Sequence, residues 1–243
     1  MANTIYSRVT INPEEAMDYI YGIIEKMPDS EYGQETKTIV QTFYTEEELK
    51  APYNNGQTEY PITESGVLHG WLYDNVGSKW LMLGLEDDIR IESANYTPEG
   101  FLTKMYKMCT EKFENVELKC QWWDENETHC GVAVIKNDII AQDEQFLDSD
   151  GMYDPAYYIE GDEDIESVKE YLKESDSNGY LDLEVMNEDE IRDVFNDWKN
   201  EEKWEAISDG WLNMYSSCEE AIDTEDFEFP ITSVKSVQEK TIS

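Results

Sequence analysis

The residues in this chain whose types and spacing could do chemistry are carboxylates. Asp189, Asp193, Asp197, Glu201 and Glu205 recur every four residues. On a helix each step of four rises about 6 Å and turns about 40° past a full turn, so the five would form a slowly winding row of negative charge. Duplex DNA carries one negative charge per about 1.7 Å of axis, and a folded protein with such a row beside further acids can compete with DNA for a basic groove. On an ordinary chain the same pattern is a solvated helix face. Here the whole chain favours the first reading, because 56 Asp and Glu against 18 Lys and Arg in 243 residues leave a net charge of −38.

Other chemistries are weaker. Residues 174–185 imitate an EF-hand calcium loop, with Glu174, Asp176, Asn178 and Asp182 at positions one, three, five and nine and Gly179 at six. Position twelve is Val185 where a bidentate Glu is needed, and Glu184 comes one residue early, so the segment is a weak calcium-binding module at most and otherwise an acid-rich turn. Asp148-Ser149-Asp150-Gly151 is weaker still. Cys120, His129 and Cys130, with His69 as the other imidazole, supply too few converging ligands for a zinc site. The spacings of Cys109, Cys120, Cys130 and Cys218 fit neither a CxxC pair nor a compact disulfide framework and read as reduced core thiols. No nucleophile motif accompanies the two histidines, so no enzyme, metal or cofactor is expected. Tyr6, Trp122 and Trp123 could stack bases on a sheet, but a surface this acidic repels phosphate, and direct nucleic-acid binding is not expected.

The elements that must carry these groups follow from periodicity. Ile5, Ser7, Val9 and Ile11 alternate with Tyr6, Arg8 and Thr10 as in a half-buried strand. Asn12-Pro13-Glu14-Glu15 then starts a helix with Met17, Ile20, Ile24 and Met27 on its buried face. Thr38 to Tyr44 reads as a strand, followed by a loop through Pro52, Asn54-Asn55-Gly56 and Pro61. Val67 to Tyr73 is a strand or a short helix, leading to the turn Asn75-Val76-Gly77-Ser78-Lys79-Trp80. Ile89 to Glu92 is a strand, and Thr97-Pro98-Glu99 caps a helix with Phe101, Leu102, Met105, Cys109 and Phe113 on one face. Val116 to Trp123 and Cys130 to Ile135 make a hairpin, with Ile139 to Ala141 ending the sheet.

Strand, helix, strand, then strand, helix and hairpin is the order of an α+β, ferredoxin-like split β-α-β sandwich. The stretch from Tyr6 to about Ala141 resembles the YubB ferredoxin-like domain family of phage and plasmid proteins. The resemblance rests on the opening strand and helix, on Asn75 to Trp80 against the family's Asn-Trp-Gly-Thr-Lys-Trp, and on the block from Phe113-Glu114-Asn115-Val116-Glu117-Leu118 to Gly131. It departs at Val76 and Ser78. It implies a mobile-element origin and a fold, and brings no catalytic residues.

Residues 1–142 form this domain and residues 143–243 an acidic, mainly helical extension packed on it. Residues 143–228 carry 30 acids against 5 bases, and residues 1–142 carry 25 against 11. Seven Trp and sixteen Tyr argue that the chain folds despite its charge. A helix from Asp164 to Leu172 buries Ile165, Val168, Tyr171 and Leu172, and Asn187 to Glu190 caps a longer one with Ile191, Val194, Phe195 and Trp198 inward. That helix continues or breaks near Gly210, and Phe227 to Val237 closes as a strand or arm. No segment approaches eighteen consecutive apolar residues, and the N-terminus has neither a basic nor an apolar signal region, so a cytoplasmic location is expected. Together these features predict a phage-encoded, non-enzymatic DNA mimic that inhibits a basic nucleic-acid-binding host or defence protein. A structural or assembly protein of a phage particle is the alternative.

Overall fold

The alternation of Ile5, Ser7, Val9 and Ile11 with Tyr6, Arg8 and Thr10 forms strand β1 (Thr4–Asn12), with the first four side chains buried and the others not. The computed structural model describes residues 3–126, 128–146, 165–175, 181–183, 185–224 and 230–234. After β1 come α1 (Glu14–Ile24), α2 (Glu35–Phe43), α3 (Glu46–Lys50), β2 (Ile62–Thr63), β3 (Gly66–Val67), α4 (His69–Asn75), β4 (Leu81–Leu85), β5 (Ile89–Ala94) and α5 (Glu99–Thr110). The chain continues through β6 (Glu117–Asp124), β7 (His129–Lys136), β8 (Ile139–Phe146), α6 (Ile165–Ser175), α7 (Glu188–Thr224) and β9 (Ile231–Ser233).

The protein is α+β, with a seven-stranded sheet in the order β4-β5-β1-β6-β7-β8-β9 and a separate hairpin of β2 and β3. β1 pairs antiparallel with β5 on one side and β6 on the other, placing Val9 beside Ile89 and Cys120. That register puts Val9, Ile11, Ile89, Ile91, Leu118 and Cys120 in one apolar core with Ile20 and Ile24 of α1 and Phe101, Leu102 and Met105 of α5. The strand order is wider than the sequence predicts, because β8 does not end the sheet. β9 pairs with it, Ile140 opposite Thr232.

Of residues 38–44, expected as a strand, 38–43 are helical and Tyr44 is the extended C-cap of α2. The helix wins because its spacing buries Ile39, Val40 and Phe43 together, while the Thr38 and Thr42 hydroxyls donate to the carbonyls of Gln34 and Thr38 four residues back. The Thr36 hydroxyl then accepts from the Leu81 N–H at 2.9 Å and donates to the Leu81 carbonyl at 3.0 Å, satisfying the edge strand β4 where it has no strand partner. The expected loop after it contains α3, whose capping box joins Thr45 and Glu48. Val67 to Tyr73 is both alternatives in turn, the end of β3 and then α4. The N-cap positions of α1 and α5 are Pro13 and Pro98, so neither Asn12 nor Thr97 caps its helix through a side chain.

The turn at 75–80 is tightly held. Gly77 has φ +84°, a conformation only glycine adopts without strain, and a Cβ at Gly100 would lie 2.4 Å from the Asn75 carbonyl oxygen. α5 therefore starts directly against the turn, and Phe101 N–H donates to the Val76 carbonyl at 3.2 Å. Ser78 is fully buried, and its hydroxyl accepts from Ala94 N–H at 2.8 Å and donates to the Trp80 carbonyl at 3.0 Å.

Two units can be separated, residues 1–145 with 213–243, and residues 146–212. The boundary expected at 142 leaves all later residues in the extension, whereas the last turns of α7 and β9 belong with the sheet. Those last turns bury Met214, Cys218, Ala221 and Ile222, and beside them Lys119 of β6 pairs with Glu219 and Lys136 of β7 with Asp223 at 3.0 Å, on the sheet face away from α1 and α5. In the second unit, α6 and α7 share an apolar cluster of Val168, Leu172, Leu183, Ile191 and Phe195. Among the described residues no helix is long and apolar enough to cross a membrane.

Candidate functional site

The acidic row forms as the spacing requires. α7 is continuous past Gly210, and Asp189, Asp193, Asp197, Glu201 and Glu205 are all exposed on it. Its start is well specified. The Asn187 side chain accepts from Asp189 N–H at 3.0 Å and Glu190 N–H at 3.1 Å, and the Glu190 carboxylate accepts from Asn187 N–H at 2.8 Å. The inward stripe of Ile191 and Phe195 is buried and Val194 and Trp198 are partly so, which fixes the rotation of the helix and turns the acids to solvent. Along the axis the row supplies one charge per about 6 Å, less than the one per 3.4 Å of a single DNA strand. A second, shorter row, Glu166 and Glu170, is exposed on α6, which shares that core. By sequence the unit of 67 residues holds 22 acids and five bases, a net of −17, against −21 over the 176 residues of the sheet unit. Charge per residue is thus about twice as high where the rows lie.

Other candidates fare differently. The calcium-like loop has residues 176–180 and Glu184 outside the described residues, as does Asp148 to Gly151. Val185, at the position of the bidentate ligand, is 77% exposed. Among the described residues no three His, Cys, Asp or Glu side chains converge as a metal site. Cys120 and Cys130 are buried on opposite faces of the sheet, since Cys120 sits beside Ala133 and Cys130 beside Trp123. Burial pushes the thiols of Cys109, Cys120 and Cys218 up to about 12 and that of Cys130 to about 11, far from thiolate chemistry. The three aromatics of the base-stacking reading are separated as well. Trp122 is buried on the face of Leu118 and Cys120, while Tyr6 and Trp123 stack on the other face at 5.7 Å with the Arg8 guanidinium 5.5 Å from the Trp123 ring.

One cavity was not foreseen. A cleft of about 490 Å³ opens where β1 begins, lined by Asn3 and Ile5 of that end, by Gly77, Asn95, Tyr96, Thr97 and Glu99 of two loops and the start of α5, and by Trp122, His129, Gln142 and Glu144 of the neighbouring strands. Its frame is a hydrogen-bonded knot. Asp124 is 3% exposed and accepts from Thr128 N–H at 2.7 Å, His129 N–H at 2.9 Å, the Thr128 hydroxyl at 3.2 Å and the Asn3 side-chain amide at 3.3 Å. Burial opposes its ionisation, but those hydrogen bonds outweigh burial and hold its pKa below the usual Asp value. Asn3 N–H donates to the Asn95 side chain at 3.0 Å, which ties the chain start to the loop after β5. Trp122 packs edge-on to His129, ring centres 4.9 Å apart, and a Cβ at Gly131 would fall 2.6 Å from the Trp122 ring. His129 Nε2 lies 3.6 Å from a Glu144 carboxylate oxygen. Sequence reading missed this site because its residues come from six segments and share no motif.

No family model, curated protein or solved structure matches this chain.

Proposed function

We propose that the protein is a non-enzymatic, phage-encoded interaction protein that mimics the charge of DNA and occupies the basic groove of a host or defence nucleic-acid-binding protein. The observation that carries this reading is the exposed row of Asp189, Asp193, Asp197, Glu201 and Glu205 on one unbroken helix whose opposite side is anchored in an apolar cluster. Such a row is presented in folded form, so little ordering entropy is lost on docking, and its contacts would be weakened by salt. The −17 charge of the surrounding unit supplies further carboxylates toward the density of a nucleic acid.

The strand order supports a ferredoxin-like reading of the sheet unit. β4, β5, β1 and β6 form a four-stranded sheet in which the first strand lies between the third and fourth of that set, with α1 and α5 as the crossing helices. β7, β8 and β9 extend it. The proposed kinship with the YubB family fits the packing of the 75–80 turn, where Ser78 supplies a buried hydroxyl at the position of the family's Thr. A cytoplasmic site of action follows from the proposed target.

The test is affinity capture from host lysate at low and at high salt, with bound proteins identified by mass spectrometry. Capture of a nucleic-acid-binding protein at low salt, its release at high salt and its displacement by added duplex DNA are the expected results. Capture of particle proteins alone would replace the reading with an assembly role.

A further inference from the structure

We propose that the cleft at the start of β1 is a binding site for a guanidinium group on an aliphatic stem. The volume, about 490 Å³, lies within the range of small-ligand sites. The lining decides the sign of the ligand. Among the described residues it holds the carboxylates of Glu99 and Glu144 and neither Lys nor Arg, while Asp124 adds a third, buried negative charge beside His129. A phosphate or carboxylate ligand would meet repulsion from these carboxylates, with the His129 imidazole, itself beside Glu144, as the one basic group among the described lining residues.

The lining also decides the shape. Glu99 and Glu144 are partly or well exposed and so keep their oxygens accessible, and a carboxylate accepts the paired N–H groups of a guanidinium in a fork that an ammonium cannot match. The Tyr96 ring, 65% exposed, offers apolar surface for the methylene stem and for stacking of the planar head. The frame around the cleft is fixed before any ligand arrives by the Asp124 knot and by the Asn3 to Asn95 hydrogen bond. This site is independent of the acidic row on α7 and does not rest on the proposed function.

The guanidinium can belong to a free small molecule or to an arginine of a peptide. Calorimetric titration of the full chain at physiological salt separates them, using agmatine for the first and an end-blocked Gly-Arg-Gly peptide for the second, with the uncharged Gly-citrulline-Gly peptide as isostere. The expected result is saturable binding at one site per chain for agmatine, the arginine peptide or both, and roughly tenfold weaker binding of the citrulline peptide and of the probes to Glu99→Gln/Glu144→Gln. A net charge of −38 attracts any cation, so Glu111→Gln/Glu114→Gln, two exposed acids away from the cleft, serves as an equal-charge control and should bind as the parent does. Amide resonances of His129 and Asn95 should shift with agmatine in the parent chain. Non-saturable binding, equal weakening by the control pair, citrulline binding as tight as arginine, or no binding of either probe overturns the assignment.

Discussion

Neutralising part of the acidic row should make the protein more stable and its partner binding weaker. Asp189, Asp193, Asp197, Glu201 and Glu205 make four like-charge neighbours at four-residue spacing, and Asp193 and Glu201 between them take part in all four. Each exposed pair of this kind destabilises a helix by about 0.2–0.5 kcal/mol, so Asp193→Asn/Glu201→Gln should gain about 1–2 kcal/mol at low ionic strength. Both positions lie beyond the first turn of α7, where the favourable effect of the helix N-terminus on a carboxylate has faded. At 1 M salt the screening length is about 3 Å and the gain should vanish. Hydrogen exchange of the amides from Ile191 to Trp198, measured at both ionic strengths beside urea unfolding, reads the change where it occurs. Removing two exposed charges that face a basic partner weakens binding by about 2-fold to 30-fold at physiological salt. Opposite signs for stability and binding are what an interaction surface requires. A double variant no more stable at low salt, or equally stabilised at 1 M, would refute the repulsion argument. Unchanged binding would show that the row is a solvated face.

Three further outcomes are expected. Ser78→Ala leaves the buried Ala94 N–H without its acceptor and should cost about 1–3 kcal/mol in denaturant unfolding, whereas an exposed control such as Ser65→Ala should change little. Asp124 has a lowered pKa, so its stabilisation is complete above the unfolded Asp value near 4 and is lost as pH falls through the folded value; Asp124→Asn should lower stability at neutral pH by about 2–3 kcal/mol and flatten the acid limb of a pH–stability curve. With all four cysteines buried and their thiols pushed up to about 11 or 12, a thiol reagent at pH 8 should leave them unlabelled in the folded protein and label all four in denaturant.

Local pattern determined much of this protein. The period-two alternation of residues 5–11 and 116–123 could only bury one face of a strand, and the stripe at Ile191 and Phe195 with the Asn187 and Glu190 cap fixed both the start and the rotation of α7, hence the exposure of the acids. Those signals depend on neighbours in sequence. Residues 38–44 did not yield to the same reading, since Thr38, Ile39, Val40 and Thr42 favour a strand in isolation and became helical only because Ile39, Val40 and Phe43 complete the apolar core and Thr36 closes the edge of β4. The return of α7 to the sheet was also beyond local pattern, because the stripe of Met214, Cys218, Ala221 and Ile222 does not by itself say what buries it, and Glu219 and Asp223 meet Lys119 and Lys136 from about 100 and 87 residues away in the chain. The cleft is the extreme case. Asn3, Glu99, Trp122, His129 and Glu144 acquire a shared chemistry only when β1 pairs with β5 and β6, so sequence determined the charge and the tertiary structure alone decided where that charge surrounds a cavity.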